Sequence, residues 1–433
     1  MSSLFYPKIE LLMKYRNYLY YFDIFAYFLI LLNFFVIGVF ENLDFSVSIG
    51  AVSLYLSDIL IALILFFIVI KLFLKKITNY QKITLVILFF VMMIISLLLG
   101  VYKFGLEQSG NSSRSYFYFF AVVLFSSIST PQKKLIKGIF TLWAWFALVL
   151  ILIAIYRWIF ISTSSNYISI WASASGDPFR VLNAGVTFFL LQGFIIYWYA
   201  KKLHLKLLFP KIIPALLIIG VIILQHRTVW VVMVTIILLM VFLDGHLNKK
   251  IFIISIFVFI IGLAIVFIFG EQLINSLSTS ASNLQNYYWR LEGWKFLISP
   301  QNMGSFINYI LGHAFGTGYA REILGSTITA SPHNYYIQLL HDFGFLGLSI
   351  FGLLYFGLSI RFFKFHKVEP ANRIMLVLLS SQLIFNLAYS PNLEQGIILG
   401  LALAINRIPK DLEKFNIWVE DDNFLKDEMK VTL

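Results

Sequence analysis

The chain has no cysteine among its 433 residues. That excludes disulfides, thiolate metal sites and cysteine nucleophiles. Charge is scarce as well: Asp, Glu, Lys and Arg make up 12% of the residues, about half the share of a soluble protein. Acids are scarcer than bases, 21 against 33. The histidines show no His-Glu-x-x-His, and no acid stands at a helical offset that would complete three ligands, so no metal is expected. No glycine-rich nucleotide-binding motif is present, and no other cofactor is implied. No small-residue cleavage site follows the first apolar run, so that run is expected to stay as an anchor rather than leave as a signal peptide.

What is abundant is hydrocarbon. Hydrophobic residues make up 60% of the chain, and the mean hydropathy is +0.86. Apolar runs of about 17–25 residues recur, each long enough for a hydrocarbon core of about 30 Å. They fall near 20–40, 58–74, 83–101, 116–130, 138–160, 182–200, 207–224, 228–244, 251–270, 336–360, 374–389 and 394–407. The period-2 alternation of a membrane barrel is missing. The expectation is an all-α polytopic membrane protein, a single domain over 1–433 with about twelve spans. One large loop, 271–335, is inserted between helices 9 and 10.

The net charge of +12 invites a nucleic-acid partner, but topology accounts for it better. With twelve spans and a cytoplasmic N-terminus, 25 of the 33 basic residues fall on the cytoplasmic side. This is the positive-inside bias. It predicts both termini in the cytoplasm, the 271–335 loop outside, and no nucleic-acid binding.

The eight bases left over are Lys103, Arg114, Arg157, Arg180, Arg227, Arg290, Lys295 and Arg321. Six of them are arginine, against four of the 25 inside, a bias that orientation does not require. Arginine's planar fork binds phosphate in a bidentate manner, whereas lysine acts as a hydrated point charge. The plain alternative is that these arginines snorkel to headgroups or pair with acids such as Glu107, Asp177, Glu271 and Glu322. Arg227 stands in Gln225-His226-Arg227-Thr228, a connection of a few residues between two apolar runs. A charge fixed at such a boundary is a functional candidate by default. Arg290 follows; if 284–297 is a helix, Arg290 and Trp294 share a face one turn apart, where a cation–π contact would be the plain alternative.

In the loop, Ser331-Pro332-His333-Asn334 runs directly into an apolar helix. Pro332 holds Ser331 extended, and Asn334 is suited to cap the helix. The partial positive charge of a helix N-terminus favours an anion and keeps a nearby imidazole neutral. His333 thus reads either as an interfacial hydrogen-bonder or as a general base beside a phosphate-binding patch.

His333-Asn334-x-x-Ile337-x-x-Leu340-x-x-x-Gly344-x-x-Gly347 resembles the signature of the O-antigen ligase and polymerase family of bacterial envelope glycosyltransferases. The Arg227-Thr228 turn, Arg290-x-x-x-Trp294 and the Gly312–Gly318 segment follow in the family's order. The resemblance covers roughly 180–360 by motif. It implies a multi-pass protein of the bacterial inner membrane with an extracytoplasmic active loop. Such a protein passes a glycan from an undecaprenyl-diphosphate carrier to an acceptor sugar hydroxyl, with inversion. By position His333 would be the base, and Arg227 and Arg290 would hold the diphosphate. Arg180, Trp294, Arg321 and Asn334 are accessory candidates. Implied partners are the lipid-linked donor, a glycan acceptor, membrane lipid, and an associated flippase and chain-length regulator. The reading preferred is polymerisation of repeat units; transfer of a finished polymer to lipid A core, the ligase reaction, stays open.

A flippase or transporter is the competitor from another class. It would show paired helix interruptions and midplane polar residues. Only Asp23, Asn33 and Asp58 point that way.

Overall fold

A backbone in hydrocarbon has no water to bond, so each apolar run must satisfy its own amides by coiling. The computed structural model describes residues 6–40, 46–49, 52–74, 83–130, 132–161, 180–244, 285–323, 326–367 and 369–406. The expected span 251–270, the first part of the expected loop, 271–284, the acids Asp177 and Glu271, and the tail from Arg407 lie outside the described residues.

The protein is mostly helical. Among the described residues, six helices contain stretches long and apolar enough to cross a membrane: α1 (Tyr6–Val39), α2 (Leu56–Leu74), α3 (Thr84–Phe104), α5 (Lys133–Tyr156, with a π-turn Arg157–Ile161), α8 (Arg227–Asp244) and α12 (Tyr335–Phe365). Four apolar helices are shorter: α6 (Ala184–Tyr199), α7 (Ile213–Ile223), α13 (Pro370–Phe385) and α14 (Gln395–Asn406). α4 (Leu106–Ile128) opens with a polar half. Each expected span other than 251–270 thus coincides with a helix, while six of these helices meet both length and apolarity. Among the described residues, sheet is confined to two hairpins, β1 (Ser46–Ile49) with β2 (Val52–Tyr55), and β3 (Arg321–Ile323) with β4 (Ser326–Ile328).

α4 forms the middle of the core, with Tyr116, Phe119, Phe120 and Val123 buried. α14 packs on it through glycines. A Cβ on Gly396 would meet the Phe119 carbonyl at 2.6 Å, and one on Gly400 the Val123 carbonyl at 2.5 Å. Small residues let two backbones approach this closely, the usual device where no water drives helices together.

The polar residues of the first spans are committed to the fold. Asp23 forms a buried ion pair with Lys71, whose ammonium also donates to Ser129 at 2.8 Å. Asn33 bonds Ser57 at 3.0 Å. Asp58 accepts from the Tyr55 amide at 2.8 Å and pairs with Arg114 at 3.3 Å.

The loop has structure of its own. α9 (Gln285–Leu297), α10 (Pro300–Met303) and α11 (Phe306–Leu311) precede the β3–β4 hairpin. Serines cap the two short helices: Ser299 accepts from the Asn302 amide and Ser305 from the Asn308 amide, both at 3.3 Å. α12 is interrupted at Gly344, whose φ of 62° suits glycine. A Cβ there would lie 2.3 Å from the Ile310 backbone, and one on Gly312, 2.2 Å from the Asp342–Phe343 backbone. The two glycines therefore let the loop lie directly against α12.

Candidate functional site

The site is built where the ends of α8, α9, α12 and α13 meet. Asn334 caps α12 as expected, its Oδ1 accepting from the Tyr336 and Ile337 amides at 3.0 and 3.2 Å. The start of α12 is tied to the end of α13 by the Tyr335 amide, which donates to the Asn386 carbonyl at 2.9 Å. The Tyr336 hydroxyl donates to the Leu383 carbonyl at 2.7 Å. Trp294 on α9 donates its indole N–H to the Pro332 carbonyl at 2.6 Å. The residue between these fixed points, His333, has a φ of 50°. That conformation is uncommon for a residue with a Cβ and is held here by the cap on one side and the Trp294 bond on the other.

The imidazole of His333 stands edge-on between two rings. Trp289 lies 5.9 Å away between centroids and Tyr389 6.3 Å away. Burial, then the charges of Arg290 and Arg321, push its pKa from 6.5 down to about 4. Burial and the neighbouring arginines favour the neutral form of His333, causes beyond the helix terminus considered from sequence.

Arg290 lies on α9, within the helix expected for it, with its guanidinium 5.6 Å from the Trp289 ring. The helix puts Arg290 and Trp294 one turn apart as read from sequence, but the ring that the guanidinium lies over is Trp289, and the Trp294 indole N–H bonds Pro332. The Nε of Arg290 is buried, with no hydrogen-bond partner among the described residues. Arg227 opens α8 and is repelled by Arg180 and Arg290, with Tyr389 as an attracting neighbour. Arg180 donates to the Gln225 carbonyl at 3.0 Å, at the turn that delivers Arg227. In that turn Gln225 has a φ of 57°. His226 donates from Nε2 to the Leu182 carbonyl at 2.8 Å, and burial plus the Arg180 charge lower its pKa to about 4.

The structure therefore sets Arg180 and Arg290 near Arg227, and Arg290 together with Arg321 near His333, so that Arg290 links the two, while other bases are engaged elsewhere. Arg157 donates to the carbonyls of Val181 and Val39 at 2.7 and 2.5 Å. Lys295 pairs with Glu292 at 2.8 Å. Arg321 is 2% exposed and clamps the carbonyls of Tyr319 and Ala330, each at 2.8 Å, closing the base of the β3–β4 hairpin. Its role is structural and electrostatic; its Nε and the other terminal nitrogen have no hydrogen-bond partner among the described residues.

A second polar cluster lies deeper, at the break in α12. His341 donates from Nδ1 to Asp342 at 2.7 Å, and the hydroxyls of Tyr116 and Tyr319 donate to the other Asp342 oxygen at 2.8 and 2.5 Å. The His313 ring packs on His341 at 4.6 Å. Asp342 is thus spoken for rather than free to assist His333, and Glu394 is buried as well. The signal for this cluster was available: an adjacent His-Asp pair inside an apolar run is expensive unless it is paired.

No protein-family model matches the chain, and no curated protein matches it. The geometry must carry the functional reading.

Chemically the arrangement offers three elements. A cluster of arginines that repel one another is stabilised by an anion carrying more than one charge. A neutral imidazole beside them accepts a proton. Aromatic rings, Trp289 and Tyr389, flank that imidazole.

Proposed function

We propose that the protein is a membrane glycosyltransferase that moves a glycan from a polyprenyl-diphosphate carrier, undecaprenyl diphosphate, to an acceptor sugar hydroxyl. The observation that carries this reading is that Arg290 stands both in a group with Arg180 and Arg227 and beside the neutral His333. Three cations together cost free energy that a diphosphate relieves, and a neutral base is what the acceptor hydroxyl needs.

In the reaction, the acceptor oxygen attacks the anomeric carbon of the donor as His333 takes the hydroxyl proton. The new C–O bond forms while the bond from that carbon to the diphosphate oxygen breaks, with inversion. The electron pair leaves with the diphosphate, and Arg227 and Arg290 stabilise the charge that develops, Arg180 lying next to them. Preorganised charge of this kind is usually the largest single contribution to catalysis. The bound diphosphate also offsets the repulsion that Arg290 and Arg321 exert on His333, so the imidazole becomes a better base once the donor is in place.

The reading includes twelve spans, an inner-membrane location with both termini in the cytoplasm, and the loop on the outer side. Polymerisation of repeat units is the preferred form, with transfer to lipid A core as the other outcome of the test. Asp23, Asn33 and Asp58, the residues that pointed to transport, are bonded within the fold.

Purified protein in nanodiscs with a polyprenyl-diphosphate glycan should release free polyprenyl diphosphate when an acceptor glycan is added, and His333→Ala should not. Equal release by both would remove His333 from the chemistry.

A further inference from the structure

We infer that residues 306–316 form a re-entrant membrane segment whose helix α11 faces the hydrocarbon of the bilayer leaflet on the loop side. The inference is independent of the transferase reading.

The first ground is depth. The Phe315 amide donates to the Ser96 hydroxyl at 3.2 Å, and that hydroxyl donates to the His313 carbonyl at 3.3 Å. Ser96 lies eight residues before the end of α3 at Phe104, which at 1.5 Å per residue is about 12 Å along the helix. α12 gives a similar level from the other side, since Gly312 and Gly344 bring residues 310–312 against Asp342–Gly344. Gly344 is nine residues in from the start of that helix, about 13 Å. The chain then climbs: the Phe315 carbonyl lies against Gly100, and the Gly316 carbonyl accepts from Gln108 at 2.6 Å.

The second ground is the surface that α11 presents. Phe306 is 77% exposed and Ile307 65%, and Ile310 and Leu311 are exposed as well. At the same level Leu98 on α3 and Phe345 on α12, both on candidate membrane spans, are exposed apolar side chains too. The apolar face of α11 is therefore continuous with the membrane-facing surface of its neighbours.

The third ground is the backbone. Irregular chain at membrane depth is tolerated only where its polar groups are bonded. Here the Gly312 amide donates to the Asn308 carbonyl at 2.8 Å and the His313 amide to the His341 carbonyl at 2.9 Å. The Asn308 side-chain amide donates to the Met303 carbonyl at 2.6 Å.

The absence of cysteine makes the test direct. Single variants Phe306→Cys, Ile307→Cys, Leu98→Cys and Gln301→Cys are spin-labelled in nanodiscs, and collision with oxygen and with a water-soluble nickel chelate is measured. Positions 306 and 307 should favour oxygen as position 98 does, by at least severalfold over position 301, a polar exposed residue on α10 outside the re-entrant segment. Chelate-favoured collision at both 306 and 307 would overturn the inference. So would protection from both reagents, which would mean a second copy or another protein covers the face.

Discussion

His333 should remain neutral far below the range of an ordinary histidine, and this has a measurable consequence. Its pKa of about 4 lies well under the reference 6.5 because the ring is part-buried and faces Arg290 and Arg321. At pH 5.5 an unperturbed imidazole is about 90% protonated, whereas one with a pKa of 4 is only about 3% protonated. As general base the residue must be neutral, so kcat/KM for the donor, which reports the free enzyme, should stay level down to about pH 5 and fall by half near pH 4. The acid limb of kcat, which reports the donor complex, should sit higher, because the diphosphate offsets the arginine charges. Arg290→Gln removes one repelling charge and should move the kcat/KM limb upward by roughly 1 unit, whatever it does to the absolute rate. The assay is polyprenyl-diphosphate release from the reconstituted protein between pH 4 and 8. A wild-type limb at 6.5, or one that stays in place in Arg290→Gln, would refute the reasoning.

Arg227→Lys keeps the charge but loses the bidentate fork, and should lower turnover by at least tenfold at equal membrane levels, read in the same release assay. Asn334→Ala removes the acceptor of the Tyr336 and Ile337 amides and should cost about 1 kcal/mol, seen as a lower thermal midpoint in detergent. Gly344→Ala forces a Cβ into the Ile310 backbone at a φ of 62°, so folded yield by size exclusion should collapse, while Gly357→Ala, which meets nothing within 4 Å, should express normally. Folding lowers the His226 pKa from 6.5 to about 4, so stability intact above pH 6.5 is lost as pH falls toward 4, by roughly 3 kcal/mol. Thermal scans of His226→Gln should show a shallower acid loss than wild type.

The helices were legible because hydrocarbon leaves the chain few options: apolar runs of span length coil, although α1 and α4 begin well ahead of their apolar runs, at Tyr6 and Leu106. The cap was legible for a local reason, since Asn334 needs only the next three residues to act. Which arginines gather was not legible. Arg227 and Arg290 stand far apart in sequence, and nothing in the chain around Arg321 says that it clamps Tyr319 and Ala330 while Arg290 faces His333. The same holds for Asp342, an acid in an apolar run whose three donors come from α4, the loop and its own helix. Helical spacing places Arg290 and Trp294 on one face without saying which ring the guanidinium meets; it lies over Trp289, while the Trp294 indole N–H bonds Pro332. The exposed apolar face of α11 was hidden by its shortness, six residues within a loop otherwise rich in polar side chains.

The most direct test of the central claim is the lipid-linked glycan profile of cells expressing His333→Ala at wild-type levels, read by mass spectrometry. The account predicts a block in transfer: single undecaprenyl-diphosphate repeats accumulate and long chains disappear, as expected of a polymerase. Long lipid-linked chains that never reach a final acceptor would instead identify a ligase using the same chemistry. A profile indistinguishable from wild type would contradict the account, because the neutral histidine among the arginines would then have no part in glycan transfer.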